Sequence, residues 1–187
     1  MDVFIEHLVK KRPTGKDIFL KALIIFGVLV VAFLAFTVGL FYIGALSVFL
    51  VAGAIYGAWW LLTGMNIEYE YCVTNGDMDV DKIVAQRKRK RLLSLDCRIV
   101  EEIGIYIPAA HEHRNYDTRI YACESEKDEG SYYLVFRHNT LHNTLLVFNP
   151  SQRVLNGMMP YLPKPLAYQL NKSLQEAASA EEEEQAE

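Results

Sequence analysis

Residues 18–62 read IFLKALIIFGVLVVAFLAFTVGLFYIGALSVFLVAGAIYGAWWLL, and the one charge in that stretch is Lys21. A bilayer core is crossed by about 20 apolar helical residues, and the core helices of soluble proteins are much shorter than this run. The stretch is too long for one crossing and suits two crossings joined by a tight turn. A cleaved signal peptide would have an apolar region of only roughly 7–15 residues before a small-residue cleavage site, so a retained membrane segment is expected. Gly39 and Gly44 bracket Leu40, Phe41, Tyr42 and Ile43, which puts the turn there and the spans over residues 19–39 and 43–63. Thr14-Gly15-Lys16-Asp17 has the form of a capping box and marks the start of the first helix. Trp59 and Trp60 close the second span and Tyr42 sits at the turn, as interfacial anchors do.

Charge on either side gives the orientation. Lys10, Lys11, Arg12, Lys16 and Lys21 lie on the N-terminal side, and Lys82 with the run from Arg87 to Arg91 lies beyond the second span, while the intervening turn has no charge. Cations stay on the cytoplasmic face, so the expectation is a multi-pass protein of the plasma membrane with both termini in the cytoplasm. Cys72, Cys97 and Cys123 are odd in number and without metal spacing, which suits reduced thiols. Residues 1–17 form a basic cytoplasmic segment and residues 18–64 the hairpin. Within the former, Phe4, Ile5, Leu8 and Val9 precede the cations, which reads as a short interfacial helix or an unstructured arm. Ala35 and Gly39 in the first span, and Gly53 and Gly57 in the second, are small residues at four-residue spacing that let helix backbones approach. They pack the hairpin on itself, or form a homodimer seam through Gly53 and Gly57. Neither span holds an acid or a histidine, so an ion path has no carrier.

Beyond the hairpin the pattern changes to period two. Ile67, Tyr69, Tyr71 and Val73 alternate with Glu68, Glu70, Cys72 and Thr74, Asn75-Gly76 is a hairpin signal, and Met78 and Val80 alternate with Asp77, Asp79 and Asp81. Further strands are expected over 91–95, 99–107, 118–123, 132–137 and 144–148. Pro150-Ser151 then opens a helix with Val154, Leu155, Met158, Met159 and Leu162 on one face, which Pro160 should kink or end. Residues 171–187, ending in Glu181 to Glu184, read as a solvated helical extension or as disorder, and the clustered like charge favours disorder.

About seven strands and a C-terminal helix over residues 66–170, behind a membrane hairpin, are the layout of a bent β sheet or barrel of the pleckstrin-homology (PH) type. The segment from Ile67 to Ile83 resembles the opening of bacterial PH-like domains. The whole arrangement resembles an uncharacterised family of small bacterial membrane proteins with two N-terminal transmembrane helices. The resemblance implies a membrane α-helical hairpin plus a mainly β PH-like domain and says little about activity. Phosphoinositide-binding PH domains place cations in their first hairpin loop, whereas Thr74-Asn75-Gly76-Asp77 has none, so recognition of that kind is not expected.

The cations lie one connection later, in Arg87, Lys88, Arg89, Lys90 and Arg91. A strand leaving the bilayer rises about 3.3 Å per residue and its hairpin partner descends as far, so the basic turn should return to headgroup level. Each cation there gains about 1 kcal/mol from anionic lipid; the alternative is a solvated loop that only sets topology. Nucleic acid is not expected, because no aromatic platform adjoins the run. No G-x-S-x-G, phosphate loop or H-E-x-x-H is present, so no catalytic residues, cofactor or metal are assigned. His111 and His113 around Glu112, and His138 before His142, read as exposed polar residues, and Cys97 as a buried packing residue. The expected function is a membrane-anchored, non-catalytic binding or scaffold module that contacts membrane lipids and a membrane or cytoplasmic protein partner. The alternative is an accessory subunit of a membrane transport or export complex acting through its helices.

Overall fold

The computed structural model describes residues 4–42, 44, 46–125 and 130–184, with residues 38–42 and 176–184 as backbone only. The chain divides into two compact units, Arg12–Ile67 with Val84–Lys88, and Met1–Lys11 with Glu68–Ile83 and Arg89–Glu187.

The first unit is built on helices α1 (Gly15–Tyr42) and α2 (Leu46–Gly64). The Thr14 N–H donates to Asp17 Oδ2 at 2.9 Å, the reciprocal half of a capping box, and Ile18 N–H donates to Thr14 O at 3.0 Å. Both helices are long and apolar enough to cross a membrane, and only 6% of the apolar window of each is buried. A pair of soluble core helices would be covered instead. Helix α1 continues through Gly39 to Tyr42, so Gly39 does not punctuate the stretch. The reversal centres on Gly44, whose φ of +59° favours glycine, and the second helix starts later than the sequence suggests. An apolar groove of about 360 Å³ between the helices is lined by Ile24, Gly27 and Val28 of α1 and Ala54, Gly57 and Ala58 of α2. Gly57 therefore lies on the packed side and Ala35 is half-buried, whereas Gly53 is exposed. A Cβ added at Gly53 or Gly57 would meet nothing within 4 Å, so close backbone approach at these two glycines is not found among the described residues. The surroundings of Gly39 and Tyr42 fall outside the described residues.

The second unit holds two four-stranded sheets. One has the order β1 (Phe4–Lys10), β2 (Ile67–Thr74), β3 (Asp77–Val84), β4 (Lys88–Asp96). The other has the order β5 (Val100–Ile105), β7 (Tyr132–His138), β8 (His142–Phe148), β6 (Thr118–Ala122). Strands β6 and β8 run parallel. The strands from β2 to β8 overlap the seven expected segments, with β4 starting earlier than expected.

Strand β1 corrects the reading of the N-terminal residues as an interfacial helix or free arm. It pairs antiparallel with β2, from Phe4 opposite Thr74 to Lys10 opposite Glu68. Val9 turns into the core at 4% exposure while Phe4 and Leu8 stay exposed, and apolar residues on both faces hide the period of two. The apolar helices thus occupy the β1–β2 connection, and Asn75-Gly76 forms the second hairpin of the sheet rather than its first. Asn75 and Gly76 have φ of 50° and 98°, as a type I′ turn requires, and a Cβ on Gly76 would lie 2.7 Å from Tyr161 Cδ1.

Tyr71, Val73, Met78, Val80, Leu93 and Leu95 of the first sheet, and Leu134, Phe136, Leu146 and Phe148 of the second, are buried with Val154, Leu155 and Met158 of α4 (Gln152–Met158). Ser151 Oγ caps α4 by accepting from Val154 N–H at 3.4 Å. The Tyr71 hydroxyl donates to Ala122 O and accepts from Asn149 N–H at 3.2 Å, which links the two sheets, and burial pushes its pKa well up. Cys97 is fully buried and its thiol is pushed up to about 12 by desolvation and by Asp96. Pro160 follows the end of α4 in a short 3₁₀ turn, and α5 (Lys164–Glu184) carries the acidic segment as helix to Glu184.

Candidate functional site

The basic run leaves β3 through a strained turn. Ala85 and Gln86 both adopt left-handed backbone, φ 56° and 55°, and Arg87 N–H donates to Val84 O at 3.1 Å, closing a type I′ turn without glycine. Non-glycine residues in this region cost about 1–2 kcal/mol each. The turn is held by its contacts with the end of α2. Ala85 N–H donates to Asn66 O at 2.9 Å, and the Arg87 guanidinium lies 5.0 Å from the centre of the Trp59 ring. The chain therefore does return to the end of the second apolar helix, as strand geometry predicts.

From Lys88 onward the run is strand rather than turn, which corrects the expected start of β4 at Arg91. Alternation sends neighbouring side chains to opposite faces. Arg89 contacts Glu70 and lies 3.7 Å from Asp81 Oδ2, and Arg91 Nε lies 2.8 Å from Asp81 Oδ1 with a second contact of 2.8 Å to Asp79. Glu70 and Asp81 are buried, and buried carboxylates need charged or hydrogen-bonding partners. The hydrogen bond to Asp81 raises the already high pKa of Arg91. Lys88 and Lys90 are exposed and make no ion pair among the described residues. The sequence does hold a signal for this division. Glu68, Glu70, Asp79 and Asp81 recur at period two on the strands preceding the cations, and opposite charges on neighbouring strands attract. The Trp59–Arg87 pair has no such signal.

A second cluster covers the outer side of the other sheet. His111, at the end of α3 (Pro108–His111), is buried rather than exposed, with Nδ1 2.8 Å from the Tyr116 hydroxyl and its ring against Tyr106 and Tyr133. Desolvation and the nearby Arg114 lower its pKa, so it sits neutral. Arg114 grips Glu102 through two bonds of 2.7 and 2.6 Å, and Arg119 donates to the carbonyls of His111 and Arg114. These contacts are those of a small aromatic core. Among the described residues, no three of His, Cys, Asp and Glu gather at metal-binding distance.

A family model described as Bacterial PH-like domain (DUF6106) matches residues 1–167. No curated protein and no solved structure matches the chain. The match starts ahead of the apolar helices and so includes β1 in the same domain as the strands that follow them.

Proposed function

Since the chain belongs to the bacterial PH-like domain family, we propose that it is a membrane-anchored, non-catalytic binding or scaffold module. In this reading α1 and α2 cross the plasma membrane, and the PH-like domain faces the cytoplasm, where it rests its basic segment on anionic lipid and offers its surface to a protein partner. The carrying observation is the pairing of Lys10 with Glu68. Those residues flank the whole apolar stretch, and strand partners lie about 5 Å apart, which supports a reading in which both ends of the stretch emerge on one side of a bilayer. An even number of crossings meets that demand, and a single crossing does not. The cations before α1 and after α2 then favour the cytoplasm for that side.

The test is accessibility in intact cells, with Cys72, Cys97 and Cys123 replaced by Ser. A cysteine at Tyr42 should react with an impermeant maleimide from outside, and cysteines at Lys11 and Lys172 should react only after lysis. Labelling of Lys11→Cys or Lys172→Cys in intact cells would overturn the reading.

A second reading, the accessory subunit of a membrane transport or export complex, is favoured by the open groove beside Gly27 and Gly57. Crosslinking in native membranes separates the two. A partner lost on Gly57→Leu supports the subunit, and a partner retained supports the module.

A further inference from the structure

We infer that four cations of the basic run are divided between two tasks: Arg87 and Lys88, beside Trp59, take the phosphates of anionic phospholipid headgroups, while Arg89 and Arg91 serve only to neutralise the carboxylates of the first sheet. The inference rests on the reading of α2 as a membrane span. Its own ground is the local geometry of the run.

Arg89 and Arg91 are already engaged. They meet Glu70, Asp79 and Asp81, and two of those carboxylates are buried. Taking an arginine away to bind a lipid phosphate would leave a buried carboxylate without its cation, the costliest way to break such a pair. Arg87 is placed differently. Its guanidinium lies over Trp59, in the last turns of α2, and Trp59 and Trp60 remain exposed at 51% and 57%. Tryptophans at the end of a span sit at headgroup depth, with the ring partly in the apolar boundary. A guanidinium held beside such a ring by cation–π attraction, and with no ion pair among the described residues, has N–H groups to offer a phosphate. Lys88 follows directly, exposed and without an ion pair among the described residues, as a second cation for the same anionic layer. The turn that presents both is fixed by the Ala85–Asn66 bond, so they need not be ordered on binding. The occupant is the headgroup layer of the bilayer that the helices cross, because Trp59 and Asn66 belong to the end of that span.

The full chain is reconstituted into nanodiscs of neutral phosphatidylcholine, or of phosphatidylcholine with phosphatidylglycerol, and amide hydrogen exchange is followed. Exchange over 84–88 should slow with the anionic lipid by up to about twenty-five-fold, two cations at about five-fold each. The difference should collapse in 1 M salt, where the Debye length is about 3 Å. The double variant R87Q/K88Q should exchange alike in both lipids. The double variant R89Q/R91Q should keep the lipid dependence over 84–88 and exchange faster over β3 and β4 in either lipid. Lipid dependence that survives R87Q/K88Q, or is abolished by R89Q/R91Q with the sheet intact by circular dichroism, would overturn the division. Equal exchange of the unaltered chain in both lipids would also overturn it, leaving the labelling experiment to judge the membrane topology independently.

Discussion

Because Lys10 lies opposite Glu68, the two apolar helices occupy a place where a two-residue turn would serve. Replacing residues 11–67 with Asn-Gly should give a soluble, monomeric PH-like domain that no longer fractionates with membranes. The dipeptide is the preferred type I′ hairpin turn, and it would stand directly between an antiparallel pair. A connection of about 60 residues is shortened to two, close to five halvings at about 0.6 kcal/mol each, so the excised chain gains roughly 3 kcal/mol relative to one with a flexible linker of the original length. The matched control begins at Glu68 and lacks β1. It loses the burial of Val9, worth about 2 kcal/mol, and leaves one edge of β2 unpaired. Its melting temperature should be lower by at least roughly 6–12 °C, or its thermal transition should vanish. Circular dichroism and scanning fluorimetry on the two chains decide the matter. A control as stable as the chain with β1, or an excised chain without a cooperative transition, would refute the assignment of β1 to the sheet.

Gly76→Ala combines a left-handed backbone with a Cβ 2.7 Å from the Tyr161 ring, so it should cost more than the roughly 1–2 kcal/mol of backbone strain alone. Adding Tyr161→Ala should restore only the steric part, a coupling of about 0.5–3 kcal/mol in a double-mutant cycle of denaturant midpoints. His111 is held neutral in the fold, while an unfolded histidine takes a proton as pH falls below about 6.5. The unfolded state then binds the extra proton, so stability should be level above that pH and should fall below it, by at most about 1.4 kcal/mol per pH unit. His111→Leu should flatten this acid limb in urea titrations between pH 8 and 5, and an unchanged limb would assign it elsewhere.

What the sequence reveals here depends on how local the decisive interactions are. Strands β2 and β3 are plain because Tyr69, Tyr71 and Val73 alternate cleanly and Asn75-Gly76 closes them with backbone angles that few other pairs adopt. Ser151 announces α4 in the same way. Strand β1 escapes because its partner lies across the whole apolar hairpin and its outward residues Phe4 and Leu8 are apolar. The first half of β4 escapes for another reason. Lysine and arginine have little tendency to form strands, and what keeps Lys88 to Arg91 extended is a set of carboxylates on neighbouring strands. The candidate site divides likewise. Its cations and its return to the helix end follow from composition and strand length, whereas the capture of Arg89 and Arg91 depends on side chains brought together by the sheet. His111 is buried by tyrosines from three separate segments, which no spacing rule near His111 could indicate.

The position of β1 also imposes an order of events on biogenesis. The ribosome makes this strand before the two apolar helices, and its partner β2 emerges only after both have been synthesised. Until then β1 waits with its hydrogen-bonding edges open and Val9 uncovered. In the proposed topology, a second helix that fails to integrate after the first has crossed would strand β1 and β2 in different compartments, and the first sheet could not close. Under that topology, completion of the sheet would serve as a check on membrane integration. A misinserted chain would display an unpaired β2 edge, the kind of exposed template that chaperones and proteases act upon.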